Sequence, residues 1–256
     1  MFSIPRNTIL NRLLAAFISL YGPVCSLLIA GCAGNPGLDA YRQGDYTEAL
    51  REFHYESDPT GDFAVGVMHY KGEGVPRNPD KAADWFRKAA DNGHAGAQYN
   101  LGLLYMRGEG VRRDHREAAR WFRRAAEQGY SKAQVNLGLM YALGDGLVKD
   151  RREAARWFHM AAGQGYAKAQ IYLGIMYARG DGVERDRREA ARWFRMAAGQ
   201  GSIEAQVYLG LMYARGDGVE KDRNEAASWF RKAAEQGSTR AKEYLNRLSE
   251  NSLEPL

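Results

Sequence analysis

Five acidic residues stand between paired glycines, Glu73, Glu109, Asp145, Asp181 and Asp217, each 36 residues from the next. A carboxylate in a glycine-rich loop can serve as an oxygen ligand for calcium or belong to a backbone cradle for phosphate. Neither pattern is completed here. The alternating acidic ligands and distal Glu of a calcium loop are missing, and no lysine follows where a nucleotide phosphate would need one. Glycines at such places ordinarily end helices, so these loops are expected to be helix termini. A second set pairs Asp114 with Glu117, Asp150 with Glu153, Asp186 with Glu189 and Asp222 with Glu225. Spacing of three suits a capping box, in which the Asp and Glu satisfy orphan amides at a helix start, better than an acid and base sharing a substrate. The five histidines, His54, His69, His94, His115 and His159, fall at scattered places with no metal-ligand spacing. Nucleophile-elbow and zincin motifs are missing too. The expectation is a non-catalytic protein with no metal and no cofactor.

The two cysteines are Cys25 and Cys32, too few for a disulfide framework. Arg6 and Arg12 precede an uncharged, largely apolar stretch from Leu13 to Ala33 that small residues close at Ala30 and Gly31. That is the layout of a secretory signal, and Gly22-Pro23 in its middle argues against a retained spanning helix. The run Leu28-Ile29-Ala30-Gly31-Cys32 resembles the lipobox of bacterial lipoproteins. The resemblance implies cleavage before Cys32 and acylation of its thiol, with Ile29 departing from the commoner Leu. Ala33 follows where an Asp would favour the inner membrane, so the expected location is the bacterial cell envelope, on the outer membrane facing the periplasm. Cleavage would remove both leader arginines and lower the formal charge from +5 to +3.

Something must position the recurring residues, and the tryptophans show what. All five lie 36 residues apart, at Trp85, Trp121, Trp157, Trp193 and Trp229. A period of this length signals stacked helical repeats. Within Ala97 to Gly129, apolar or small residues at Ala97, Leu101, Leu104 and Tyr105 define a helix A that Gly108 terminates. Asp114 then starts helix B, which turns Ala118, Trp121, Phe122 and Ala125 inward and ends at Gly129. In the first repeat Asn78 caps instead, with Pro79 at the first helical position. A glycine recurs inside helix A at 66, 102, 138, 174 and 210, which costs helix stability and implies that a neighbour packs on its backbone. The composition agrees with a packed chain: 45% hydrophobic and 26% charged residues over 256 positions, with only 7 prolines.

The signatures Ala-x-x-x-Leu-Gly-x-x-Tyr, Gly-acidic-Gly-Val, Asp-x-x-Glu-Ala-Ala and Trp-Phe-x-x-Ala-Ala resemble the Sel1-like repeat family, a variant of the tetratricopeptide hairpin. The resemblance implies an all-α fold, an α-solenoid of helix-turn-helix repeats forming a curved superhelix. Residues 1–31 would be the lipoprotein signal peptide, 32–37 the lipidated Cys and tether, and 38–60 a degenerate tetratricopeptide-like cap. Five repeats would fill 61–240, and a capping helix with a tail 241–256. Cysteine-rich members of the family have been associated with β-lactam hydrolysis, but their disulfide pairs have no counterpart here.

Recognition belongs where repeats differ. On helix A, Gly96, Asn100 and Arg107 become Lys132, Asn136 and Leu143, then Lys168, Tyr172 and Arg179, then Glu204, Tyr208 and Arg215. Spacing of four and seven places each set on one helix face. By resemblance helix A lines the concave surface, which makes Asn136, Tyr172, Arg179, Tyr208 and Arg215 the candidate partner-binding residues; the alternative is that Tyr172 and Tyr208 pad contacts between repeats. Helix B carries arginines at 113, 116, 120, 123 and 124, echoed in later repeats. Pairs at i, i+4, such as Arg113 with Glu117 and Lys149 with Glu153, are expected to neutralise part of that stripe. The expected partner is an envelope or host protein rather than nucleic acid. A glycan- or peptidoglycan-binding module and a hydrolase acting on β-lactams or cell wall are the rival readings.

Overall fold

The computed structural model describes residues 35–56 and 58–250; Cys32 and the leader lie outside them. The described residues form thirteen helices and no strand. They are α1 (Pro36–Gln43), α2 (Tyr46–Glu56), α3 (Pro59–Lys71), α4 (Pro79–Asp91), α5 (Ala95–Arg107), α6 (His115–Glu127), α7 (Ser131–Leu143), α8 (Arg151–Gly163), α9 (Ala167–Arg179), α10 (Arg187–Gly199), α11 (Ile203–Arg215), α12 (Arg223–Glu235) and α13 (Thr239–Ser249). None is long and apolar enough to cross a membrane. The chain is an all-α solenoid of helical hairpins. It divides into two compact units, the first running to Arg113 and the second starting at Asp114.

Helices A are α3, α5, α7, α9 and α11, and helices B are α4, α6, α8, α10 and α12. Each helix A ends on a left-handed glycine, such as Gly144 with φ 78°, whose amide donates back to Met140. A residue with a Cβ is strained in that conformation, which is why glycine stands there. Helices B start as the sequence suggests. Asp114, Asp150, Asp186 and Asp222 each accept from the amides two and three residues on, and Asn78 accepts from Lys81. The second half of the expected capping box has another partner. Glu117, Glu153 and Glu189 pair with Arg120, Arg156 and Arg192 one turn on. Arg113, Lys149 and Arg185 precede the cap, outside the helix, so the expected i, i+4 pairs do not form.

The interior is set by a ring against a backbone. In α9 a Cβ on Gly174 would lie 2.8 Å from Phe194 of α10; Gly66 with Phe86, Gly138 with Phe158 and Gly210 with Phe230 repeat the contact. The helix glycine thus lets the phenyl ring of the same hairpin lie on the helix. Of the Trp-Phe pair, Phe is buried throughout, at Phe86, Phe122, Phe158, Phe194 and Phe230, and Trp121 is buried beside Phe122 as the sequence suggests. Trp157, Trp193 and Trp229 are half-buried at the flank, and Trp193 meets His159 in a T-shaped contact, centroids 5.4 Å apart.

In the first unit, α1 and α2 form a hairpin whose Leu38, Ala49 and Phe53 join Ala64, Val65 and Met68 of α3. Asn35 caps α1, so the segment expected as a tether to residue 37 includes a helical turn, with Gly37 against the Phe53 ring. In the second unit α13 packs on α12, and Arg223 donates to the Leu248 carbonyl.

Candidate functional site

The Gly-acidic-Gly loops are stacking joints. The first glycine ends helix A, and the second, also at positive φ, meets the backbone opening the previous helix B. A Cβ on Gly182 would fall 2.2 Å from the Arg151 carbonyl oxygen, on Gly218 2.1 Å from that of Arg187, and on Gly110 2.1 Å from that of Pro79. The acidic residue completes the joint. Asp181 pairs with Arg151 and Asp217 with Arg187, both at 2.9 Å, and Asp145 meets His115 at 2.6 Å. In the first unit, Glu109 accepts from the Tyr70 hydroxyl at 2.7 Å and Glu73 from Tyr41. Burial, with Glu73 beside it, pushes the Tyr41 phenol up to about 12. Among the described residues no group of three or more His, Cys, Asp or Glu is placed to hold a metal ion. These carboxylates are committed to holding repeats together.

A second recurring device escaped the sequence reading. Gln98, Gln134, Gln170 and Gln206, buried in helices A, donate to the carbonyls of Ala90, Ala126, Ala162 and Ala198 at the end of the previous helix B. Gln164, Gln200 and Gln236, which follow helices B, donate in turn to Gln134, Gln170 and Gln206 at 2.9 to 3.0 Å. Each such bond contributes about 1 kcal/mol, and losing one partner strands another buried amide. The signal available was glutamine at the 36-residue period beside Ala97, Ala133, Ala169 and Ala205.

The candidate partner-binding residues separate into two groups. Asn136 is wholly buried in α7, with neither side-chain polar atom hydrogen-bonded, so it offers no atom to a partner. Tyr172 keeps only 8% of its surface exposed and packs on Phe158, centroids 5.0 Å apart. Tyr208 stacks on Phe194 at 4.8 Å but is only half-buried. The register position of Tyr172 and Tyr208 therefore covers the phenyl ring of the preceding helix B, and Tyr244 does the same over Phe230 at 5.3 Å. Periodicity put these tyrosines on the right helix face but could not show that the ring turns onto its neighbour. In the first unit Asn100 stands at that register, and a shallow groove opens beside Phe86, Val67 and Leu104.

Arg179 and Arg215 are exposed, and neither forms an ion pair among the described residues. Burial, followed by the charge of Glu204, raises the Tyr208 phenol, while Arg179 and Arg240 act on it in the opposite sense. The structure thus brings Arg179, Glu204, Tyr208 and Arg240 into one electrostatic neighbourhood on the helix A face of the second unit. The arrangement can offer guanidinium donors and part of a phenol ring to a ligand surface.

His94 caps α5 by accepting the Ala97 amide on Nδ1 at 3.0 Å, and stacks on Phe63 at 4.5 Å. Its burial lowers the imidazole pKa, which agrees with a nitrogen that must stay unprotonated to accept.

A family model for the Sel1 repeat matches residues 60–94, 95–130, 131–166, 167–202 and 203–238. No curated protein matches the chain. Among solved structures, a protective antigen of uropathogenic Escherichia coli displaying an SLR fold is 37% identical, with TM-score 0.80 over 85% of this chain and 48% of that one. This chain therefore spans about half the length of that antigen. A Sel1 repeat protein from Oxalobacter formigenes is 34% identical, with TM-score 0.78, covering 81% of this chain and 87% of its own. The immunity protein Pa5087 from Pseudomonas aeruginosa, at 17% identity and TM-score 0.51 over 84% of this chain and 88% of its own, shares the fold alone.

Proposed function

The chain belongs to the Sel1 repeat family, and from that premise we propose that it is a non-catalytic protein-protein interaction scaffold, lipid-anchored at Cys32 in the bacterial cell envelope. The binding surface in this reading is the helix A face of the second unit, and the partner is an envelope or host protein. One observation carries it: at positions where repeats differ, Arg179 and Arg215 are exposed and form no ion pair among the described residues, and Arg179 lies near enough to act on the half-buried Tyr208. Guanidinium forks and a rigid aromatic ring are the side chains that anchor protein interfaces. The recurring acidic, glycine and glutamine positions are consumed by stacking, which leaves the variable face for recognition. The lipid anchor and the outer-membrane location rest on the Leu28-Ile29-Ala30-Gly31-Cys32 run and on Ala33.

Arg179→Ala combined with Arg215→Ala tests the binding face. Loss of a central anchor costs about 2 kcal/mol or more, roughly thirtyfold in affinity. Capture of the main cross-linked envelope partner should fall to that extent while helicity and melting stay unchanged. Undiminished capture would remove this face from consideration. Cys32→Ser tests the anchor independently, and should leave an unprocessed chain without acyl groups.

A further inference from the structure

The outward face of helices B differs along the chain in a way that packing does not require. In α8 the stripe Arg152, Arg156, Met160 and Gly163 follows i, i+4, i+8, i+11, opposite the buried Ala154, Phe158 and Ala161. In α10 the same stripe is Arg188, Arg192, Met196 and Gly199. Other helices B place charges in the last two slots: Lys88 with Asp91, Arg124 with Glu127, and Lys232 with Glu235. The three cations lie over their tryptophan rings, at 4.9, 4.6 and 4.1 Å.

Two adjoining repeats therefore exchange a cation for methionine and an anion for glycine at once. Neither exchange serves the interior. Met160 and Met196 are each 49% exposed, and a Cβ on Gly163 or Gly199 would meet nothing within 4 Å. Removing the carboxylates leaves the arginines less opposed. Arg152 and Arg188 form no ion pair among the described residues. Arg156 and Arg192 pair only along their own helix, with 78% and 72% of their side chains exposed. Such exposed pairs hold weakly and are easily exchanged.

We propose that this outward face of α8 and α10 docks on an anionic lipid surface, with the arginines on headgroup phosphates and Met160 and Met196 at the acyl boundary. Charge complementarity names the anion, and the methionines select among anions. A wholly acidic polymer such as polyglutamate would satisfy the guanidinium groups but offers nothing apolar to two exposed thioether side chains. A bilayer accommodates both, because the apolar face of an interfacial helix sinks about 5–10 Å into the headgroup and acyl boundary while arginine stems snorkel to the phosphates. The glycines keep carboxylates away from a surface that would repel them. This inference goes beyond the scaffold reading and does not depend on acylation of Cys32: an anchor fixes the chain to a membrane, whereas this face would fix its orientation.

The native methionines are the probe. The full chain is mixed with vesicles of phosphatidylcholine alone, or of equal parts phosphatidylcholine and phosphatidylglycerol, and oxidised with peroxide before mass spectrometry. Oxidation of Met160 and Met196 should slow severalfold on the anionic vesicles only, recover at high salt, and leave half-buried Met106 unchanged. Arg152→Gln with Arg188→Gln, at two positions outside the packed interior, should weaken anionic-vesicle binding by on the order of tenfold without altering the melt. Equal protection on both lipids, or on neither, overturns the proposal. Protection by polyglutamate but not by vesicles also overturns it and makes the face a protein-docking surface. Cys32→Ser separates the two claims, since it should change flotation with the membrane fraction and leave the methionine footprint intact.

Discussion

Helices α4 and α10 bury the same residue types at the same places: Ala82, Ala83, Phe86, Ala89 and Ala90 in the first unit, Ala190, Ala191, Phe194, Ala197 and Ala198 in the second. Outside they share little. Helix α4 balances Lys81, Arg87 and Lys88 against Asp80, Asp84 and Asp91, whereas α10 sets Arg187, Arg188, Arg192 and Arg195 against Glu189 alone. Two helices with one interior and two exteriors separate what the fold demands from what it leaves open. Close packing fixes the alanines and the ring because a change of one methylene there is felt. Surface charge is nearly free by comparison, so the fold does not dictate its changes along the chain.

The largest test of that division falls on the phenyl ring. Phe194→Ala and Phe86→Ala should each destabilise their own unit by about 3 to 5 kcal/mol, because each opens a cavity against a helix glycine. Chemical denaturation would show it, and a cheap substitution at either place would break the equivalence of the two interiors. Glycines sharpen the comparison next. Gly182→Ala puts a Cβ at positive φ against the Arg151 carbonyl and should cost about 2 kcal/mol or more. Gly199→Ala, at an open helical position, should be neutral or stabilising by up to about 1 kcal/mol. If the two glycines behaved alike in thermal melts, the joint would lose its steric basis.

The smallest effect distinguishes the units by pH. His94 caps α5 in the first unit, whereas Ser202 caps α11 in the second. Burial lowers the His94 pKa in the folded chain, so the unfolded state takes up the proton first as pH falls. The cap's contribution is full above the ordinary imidazole value of about 6.5 and is lost as pH drops through it toward the depressed folded value. His94→Asn keeps a capping acceptor and should remove about 1 kcal/mol of acid sensitivity from the first unit, read as the difference between melts above and below that pH. His69, also lowered by burial, remains in both proteins and cancels.

What was legible in the sequence follows the same division. The 36-residue period, the glycine ends of helix A and the Asp starts of helix B are local or repeated, and the structure has them where spacing puts them. Other features depended on which neighbour a side chain meets, and spacing does not carry that. Trp121 and Phe122 both turn inward as expected, but Trp157, Trp193 and Trp229 stay half-buried while their Phe partners lie on the helix glycine. Tyr172 turned onto Phe158 instead of outward, and Asn136 was enclosed at the same register. Arg113 and its equivalents missed their expected partners because they precede the helix on which i, i+4 geometry would hold. The glutamine bridges needed the end of one helix B and the middle of the next helix A to be known together.

The central claim is that each repeat is held by its neighbours through equivalent joints, with the variable exterior carried along. Deleting residues 169–204 rejoins Lys168 to Ala205 at equivalent places and carries Gly210, Phe230 and Gln206 into the positions of Gly174, Phe194 and Gln170. Circular dichroism with thermal melting is the measurement. The account predicts a shorter helical protein that still unfolds cooperatively, while deletion of residues 169–186, which joins a helix A start to a helix B start, gives a chain without a cooperative transition. Equal loss of structure in both deletions, or equal retention, would contradict it.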